Sequence, residues 1–344
     1  MQSPNSWLEQ ILGDAAETAL ADELRAKAFG ITPENVGEVL QERAHLLRAV
    51  YPAFSQFCYT HHLQPSHLQT LWNLWLPLAM AIASYREARR QPLIQGIVGG
   101  QGTGKTTLAA ILTLILSHLG YRTLSLSLDD LYKTYSDRLA LRGQDPRRGP
   151  PGTHDIQLGL TVLDQLIQPN SLLVPIQVPR FDKSAWGGAG DRRAPEVVEG
   201  ADIVLFEGWF VGVRPINPDA FDTAPPPILT DADREFARDM NVRLQDYLPL
   251  WERLDRLILL YPADYRRSLE WRRQAEHQMI ADGKSGMMDA QIEQFVEYFW
   301  RALHPDLFIK PLANHPSLVD LVIEINPDHS AGAVYRPGDR PFNP

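Results

Sequence analysis

A single cysteine, Cys58, leaves this chain without an intrachain disulfide or a cysteine-built metal site. Basic charge is also in short supply: 33 Lys and Arg face 42 Asp and Glu, a net charge of −9. That balance argues against nucleic acid as the main partner, because a phosphate backbone wants a basic face. It leaves room for a small anionic substrate wherever cations cluster locally. Long apolar runs are missing too. The best, "LWNLWLPLAMAIA" from Leu71, falls short of the ~18 residues that span a bilayer and carries Asn73 and Pro77. The first residues lack the basic start and apolar stretch of a secretory leader, and Glu9, Asp14 and Glu17 disfavour an organelle transit peptide. The expectation is a soluble chain without a membrane partner, resident in the reducing cytoplasm. At 344 residues and 44% hydrophobic, it has the material for a large core in about two domains.

Residues 1–90 read as a helical N-terminal region, with Leu, Ala and Trp at helical spacing and no β-branched run. The charged, proline-ended "REARRQP" from Arg86 marks a boundary, after which residues 91–344 alternate strands with helices. Strand candidates are "LIQGIVG" from Leu93, "RTLSLSL" from Arg122, "SLLVPIQVP" from Ser171, "ADIVLFEG" from Ala201, "RLILLYP" from Arg256 and "DLVIEIN" from Asp320. Apolar helical stretches such as "TTLAAILTLILSHLG" and "IQLGLTVLDQLI" lie between several of them. Near-continuous apolar strands separated by helices predict an α/β fold, a mostly parallel sheet covered by helices on both faces.

Between the first strand and the helix after it, four glycines crowd into six positions. Gly99, Gly104, Lys105 and Thr106 fit G-x-x-x-x-G-K-[ST] in the strand–loop–helix context that motif requires. Such a loop, here Gly99, Gly100, Gln101, Gly102, Thr103 and Gly104, turns its N–H groups around phosphate oxygens at a helix N-terminus. Lys105 then reaches the β- and γ-phosphates, Thr106 offers a hydroxyl to Mg²⁺, and Thr107 completes the first turn. The P-loop NTPase fold and a nucleoside triphosphate follow, but not a reaction, since switches, motors and kinases share this loop. No N-K-x-D signature for guanine is present. The second strand runs into "SLDDLYKT", putting Asp129 and Asp130 at the carboxyl edge where such sheets bind ligands. A carboxylate there can take the proton of an acceptor hydroxyl. If the strand continues through both aspartates, their side chains point to opposite faces. Glu207, ending "VLFE", stands where a magnesium-orienting acid would.

The series "GGQGTGKTT", "SLDDLY", "PRFDKS", "VLFEGW" resembles the P-loop kinase group that includes uridine kinase, pantothenate kinase and phosphoribulokinase. Within it, "RRGPPGTHD" from Arg147, "RFDKSAWGGAGDR" from Arg180 and "WRRQAEHQM" from Trp271 resemble the plant- and cyanobacterial-type D-glycerate 3-kinases. The resemblance covers roughly residues 90–330. It implies ATP and Mg²⁺ as cofactors, D-glycerate as small-molecule partner and 3-phosphoglycerate as product, in photorespiratory carbon recovery. It implies Asp129 as general base, Glu207 as magnesium-side acid, and Arg272 and Arg273 as catalytic cations of a mobile lid at about residues 264–290, broken by "ADGKSGMMD". Asp130 stands where relatives carry serine or glycine and is taken to the substrate side. The plainer reading of the lid is an exposed helix laced by charge pairs such as Glu270, Arg272, Arg273 and Glu276.

Chemistry asks for the same cations without the name. A small anionic acceptor needs them for its carboxylate and for the transferring phosphoryl group. Arg147, Arg148, Arg180, Lys183, Arg272 and Arg273 lie in loop or lid segments after strand ends. His154 either binds substrate or caps a turn. Asn326 or His329 of "EINPDHS" is placed to line an adenine pocket. Two other readings stay open: a P-loop kinase of another hydroxyl compound (nucleoside, pantothenate or sugar phosphate), and a nucleotide-dependent regulatory protein without an acceptor. Composition leaves the oligomeric state undefined.

Overall fold

The computed structural model describes residues 17–61, 67–141, 148–168, 174–281, 283 and 286–340. Arg147, the start of the strand expected from Ser171, and part of the "ADGKSG" break lie outside the described residues. Six strands form the central sheet in the order β2-β5-β1-β6-β7-β8. Their ranges are Leu93–Gly99 (β1), Thr123–Ser127 (β2), Ile203–Gly208 (β5), Arg256–Pro262 (β6), Leu321–Ile325 (β7) and Ala331–Tyr335 (β8). The first five of that order run parallel, and β8 closes the edge antiparallel to β7. β1 and β5 are buried along their whole length, as sequences apolar on both faces must be in a sheet covered twice.

The strand expected from Ser171 forms, as Ile176–Asp182 (β3), but it does not join that sheet. It pairs antiparallel with Asp191–Val198 (β4) in a two-stranded hairpin. The reason is legible afterwards: of β3, only Ile176, Val178 and Pro179 are buried, while Gln177 faces water and the partner strand is mostly exposed. β8 carries no run of large apolar residues ("AGAVY") and went unread in the sequence.

On one face of the sheet lie helices Val36–Thr60 (α1), Leu76–Arg89 (α2) and Lys105–His118 (α3), with a π-helical turn Leu71–Trp75 leading into α2. Leu47, Val50, Trp72 and Ile82 from this N-terminal region share one apolar cluster with Ile97, Ile111, Leu205 and Ile258. The other face is covered by Ile156–Ile167 (α4), Asp231–Arg243 (α5) and neighbouring segments, which bury Val162, Met240, Tyr247 and Trp251 against Ile94, Val204 and Phe206. Two further helices, Arg267–Ala281 (α6) and Asp289–Ala302 (α7), follow β6 and pack on each other; α6 lies in the span expected for a lid, and α7 begins where that span ends. No helix among the described residues is long and apolar enough to cross a membrane.

Candidate active site

The sheet order decides which side chains meet. β5 lies between β2 and β1, with Glu207 in register with Ser127 on one side and Ile97 on the other. The carboxyl ends of β1, β5 and β2 therefore deliver the glycine loop, Glu207 and the two aspartates to one place. Gly99 ends β1, Gly100–Thr103 form the turn, and Gly104 caps α3 with φ +86°, a left-handed conformation that favours glycine. Gly102 also has positive φ, and a Cβ there would sit 2.7 Å from Cβ of Trp271 on α6. At Gly102 the absence of a side chain thus also makes room for Trp271. Thr103 Oγ1 donates to the Gly100 carbonyl at 2.9 Å, and so does the Lys105 ammonium at 2.8 Å, folded over the turn. Gln101 has a buried Oε1 without a hydrogen-bond partner among the described residues. Burial holds the Lys105 ammonium below its ordinary pKa, against the opposing pull of Glu207 and Asp129.

Thr106 Oγ1 donates to Glu207 Oε1 at 3.1 Å, a hydroxyl and a carboxylate side by side at the mouth of the loop. Two hard oxygens beside a phosphate cradle fit magnesium, which keeps most of its waters and takes few protein ligands. No cluster of three or more His, Cys, Asp or Glu suited to an all-protein metal site occurs among the described residues.

β2 stops at Ser127, so the aspartates do not alternate along a strand. They fall in a 3₁₀ turn, Leu128–Leu131, with Ser127 and Asp130 forming a capping box. The turn separates them all the same. Asp130 spends both oxygens on structure: Oδ2 accepts from Ser127 N (3.1 Å) and Arg180 Nη1 (2.8 Å), and Oδ1 accepts from Phe181 N (3.2 Å). Arg180 is committed with it, donating also to the Ser125 carbonyl and to Glu196. Together they brace the β3–β4 hairpin against the end of β2. The substrate-side roles expected of Asp130 and Arg180 thus meet carboxylate and guanidinium groups already engaged by the protein.

Asp129 points the other way. Its Oδ2 lies 2.6 Å from Lys183 Nζ, which follows β3. Burial would raise its carboxyl, but the Lys183 ammonium and the Tyr132 hydroxyl outweigh that and hold it below the usual range. Tyr132, a member of "SLDDLY" that sequence reasoning passed over, is buried and its phenol is pushed well up by burial and by the Asp129 charge. His154 arrives from a distant loop because backbone bonds zip the two segments: Lys133 N to Thr153 O at 3.0 Å and Asp155 N to Leu131 O at 2.7 Å. Its ring stacks on Tyr132 at 4.3 Å, and Nδ1 pairs with the Tyr247 hydroxyl at 2.7 Å. Burial lowers its pKa to about 3, so the ring is neutral, and Nε2 has no hydrogen-bond partner among the described residues. Tyr247 lies in "DYLPLW", which carries no motif to announce it.

The remaining cations divide. Arg148 donates to the Gly188 carbonyl and lies over the Phe181 ring, on the hairpin side of the site. Arg272 is paired with buried Glu276 at 2.5 Å and sits over Phe295, and Arg273 reaches Glu293 at 4.0 Å. Their neighbour Trp271 is the α6 side chain that meets the loop at Gly102. Trp271 Nε1 donates to the Pro327 carbonyl, and its ring packs at 4.7 Å on His329, so the β7–β8 turn closes beside Gly102.

A phosphate-cradling loop at the switch of a parallel sheet, with a carboxylate and cations at its mouth, defines a P-loop kinase for small molecules. Comparisons with known proteins agree. The chain is 28% identical over 331 residues to the chloroplastic D-glycerate 3-kinase of Arabidopsis thaliana, covering 88% of this chain and 69% of that protein. It is 30% identical over 220 residues to the uncharacterized kinase mug58 of Schizosaccharomyces pombe, 61% of this chain and 79% of that one. The solved D-glycerate 3-kinase of Cryptococcus neoformans superposes with a TM-score of 0.67 at 29% identity, over 76% of this chain and 98% of that chain. No protein-family model matches. The chain belongs to the P-loop kinase family that contains these D-glycerate 3-kinases and mug58.

Proposed function

We propose that the protein transfers the γ-phosphoryl group of MgATP to the 3-hydroxyl of D-glycerate, giving 3-phosphoglycerate and ADP. The observation that carries this reading is the juxtaposition of Asp129 with Lys183 and Tyr132 beside the glycine loop. The acceptor identity is supported by the relatives named for it. In this reading the Gly99–Thr107 segment holds the triphosphate through backbone N–H groups, and Lys105 leaves the Gly100 carbonyl to meet the charge on the transferring group. Thr106 and Glu207 would hold magnesium, which neutralises phosphate charge when bound. Asp129 takes the proton of the 3-hydroxyl as its oxygen bonds to the γ-phosphorus, and the bond to the bridging oxygen of ADP breaks. Lys183 and Arg148 supply positive charge for the acceptor carboxylate, and His154 Nε2 offers an unpaired polar atom to the acceptor's oxygens. The β7–β8 turn, with Asn326 and His329, lines the adenine side. A reducing compartment such as the cytoplasm suits this chemistry and the lone thiol.

A coupled assay with D-glycerate, L-glycerate, uridine and pantothenate tests the acceptor. ADP release should be stimulated by D-glycerate, and phosphorus NMR should show the 3-phospho product. Stimulation by uridine or pantothenate instead, or a dominant 2-phospho product, rejects the assignment. Lys105→Ala should cut turnover by orders of magnitude in a folded protein. Near-normal turnover of that variant would reject phosphoryl transfer at this loop.

A further inference from the structure

The general base of the proposed reaction is not free. Asp129 Oδ2 is 2.6 Å from Lys183 Nζ, a tight ion pair at the carboxylate that the proposed reaction uses as its base. A carboxylate so paired is a poor proton acceptor, because protonating it forfeits the attraction of the neighbouring ammonium. The two partners are built differently. Asp129 is held in its turn, 26% exposed, whereas the Lys183 side chain is 62% exposed and makes no other ion pair among the described residues.

The backbone beneath Lys183 is fixed from three sides. Arg180 is clamped to Asp130. Arg138, fully buried, donates to the carbonyls of Ala189 (2.7 Å) and Gly190 (2.6 Å) across the hairpin turn. Trp186 stacks on Tyr135 at 4.8 Å and donates to Asp191. A rigid hairpin thus presents a flexible four-carbon arm whose tip rests on the base. Other charged or titratable groups around the pair are Lys105, neutral His154 and Tyr132.

We propose that Lys183 is a carboxylate-operated restraint on the base: an acceptor bearing a carboxylate near its reacting hydroxyl draws the ammonium off Asp129, and only then does Asp129 accept the proton. Glycerate has this form, with its carboxylate two carbons from the 3-hydroxyl, so a hydroxyl seated at Asp129 brings the acid within reach of Lys183. The device would serve two ends. It selects hydroxy acids over neutral alcohols, and it keeps water from being activated against ATP while the acceptor site is empty. This inference rests on the glycerate reading above and adds the means of selection.

The test uses Lys183→Ala and Lys183→Arg in the full chain, with D-glycerate and its neutral isostere D-glyceramide as acceptors, and with no acceptor. At an exposed position neither substitution disturbs the core. Lys183→Ala should lower kcat/KM for glycerate by about 10²-fold, the scale of a lost charge-assisted contact. The same variant should raise turnover of glyceramide and acceptor-free ATP hydrolysis by about tenfold, because the base is released. Lys183→Arg should keep the preference for the acid. A role confined to binding carboxylate, or to fold, predicts no rise in either rate. Unchanged or reduced ATP hydrolysis in Lys183→Ala overturns the restraint while leaving glycerate kinase activity standing. Failure of the unaltered protein to phosphorylate glycerate removes the reading and the restraint together.

Discussion

Asp129 and Asp130 are adjacent and chemically identical, yet the turn gives them different partners. Asp129→Asn preserves size and hydrogen bonding but cannot take a proton, so turnover should fall on the order of 10²–10⁴-fold with ATP affinity nearly unchanged. Asp130→Asn should act through the fold, since its carboxylate receives Arg180, Ser127 N and Phe181 N. Weakening those charged hydrogen bonds should cost about 1–3 kcal/mol in urea unfolding, with a smaller loss of turnover than Asp129→Asn. A larger kinetic loss in the Asp130 variant would exchange the two roles. His154 offers a separate check. Its folded pKa of about 3 lies below the ordinary histidine value of 6.5, so the unfolded chain binds the proton first as pH falls. The stability it contributes is present in full above pH 6.5 and is lost progressively toward pH 3, on the order of 2 kcal/mol by pH 5. Ring resonances of His154 should show no titration near pH 6.5, and His154→Gln should flatten the pH dependence of unfolding. An inflection at 6.5 for that ring would contradict its buried, neutral state.

Elements that carry their own signal were legible in the chain; elements that depend on pairing were not. The glycine loop announced itself because backbone approach to phosphate needs missing side chains in a fixed order. β1 and β5 announced themselves by unbroken apolar sequence. β3 also reads as a strand, but its place in a hairpin depends on Arg180–Asp130 and on the partner β4, whose residues "DRRAPEVV" look like a loop. His154 reaches Tyr132 through the bridge between the 131–133 and 153–155 segments, and Tyr247 joins them by its bond to the His154 ring. The lid shows the same limit. Its arginines stand out by charge, but nothing in the sequence marks Trp271 as the side chain that packs against Gly102. Gly102→Ala should therefore weaken ATP binding about tenfold, since an alanine at φ +76° is strained and its Cβ would displace Trp271. Equilibrium titration with ATP measures this, and wild-type affinity in that variant would show that α6 yields without cost to the loop.

At the scale of the molecule, the helices before residue 90 have no motif of their own, yet they are not an appendage. Leu47, fully buried on α1, belongs to the same apolar cluster as Ile97 of β1 and Ile111 of α3. The strand that ends in the glycine loop is thus supported from behind by the N-terminal helices. Arg25 ties this region to the far edge as well, donating to the Gly332 carbonyl of β8 at 2.9 Å. A core shared in this way predicts one cooperative unit in place of two independent domains. Leu47→Ala should destabilise the protein by about 2–5 kcal/mol, the cost of a buried cavity, and lower the single melting transition as a whole. Saturating ATP should raise that same transition, because a ligand that binds only the folded state stabilises everything that unfolds with its site. A chain beginning at residue 91 should fail to fold, for it would expose the apolar face that Leu47, Trp72 and Ile82 cover. Calorimetry decides the matter. Two transitions, with ATP shifting one and Leu47→Ala lowering only the other, would show instead that the helical region is a separate domain and that the kinase core stands without it.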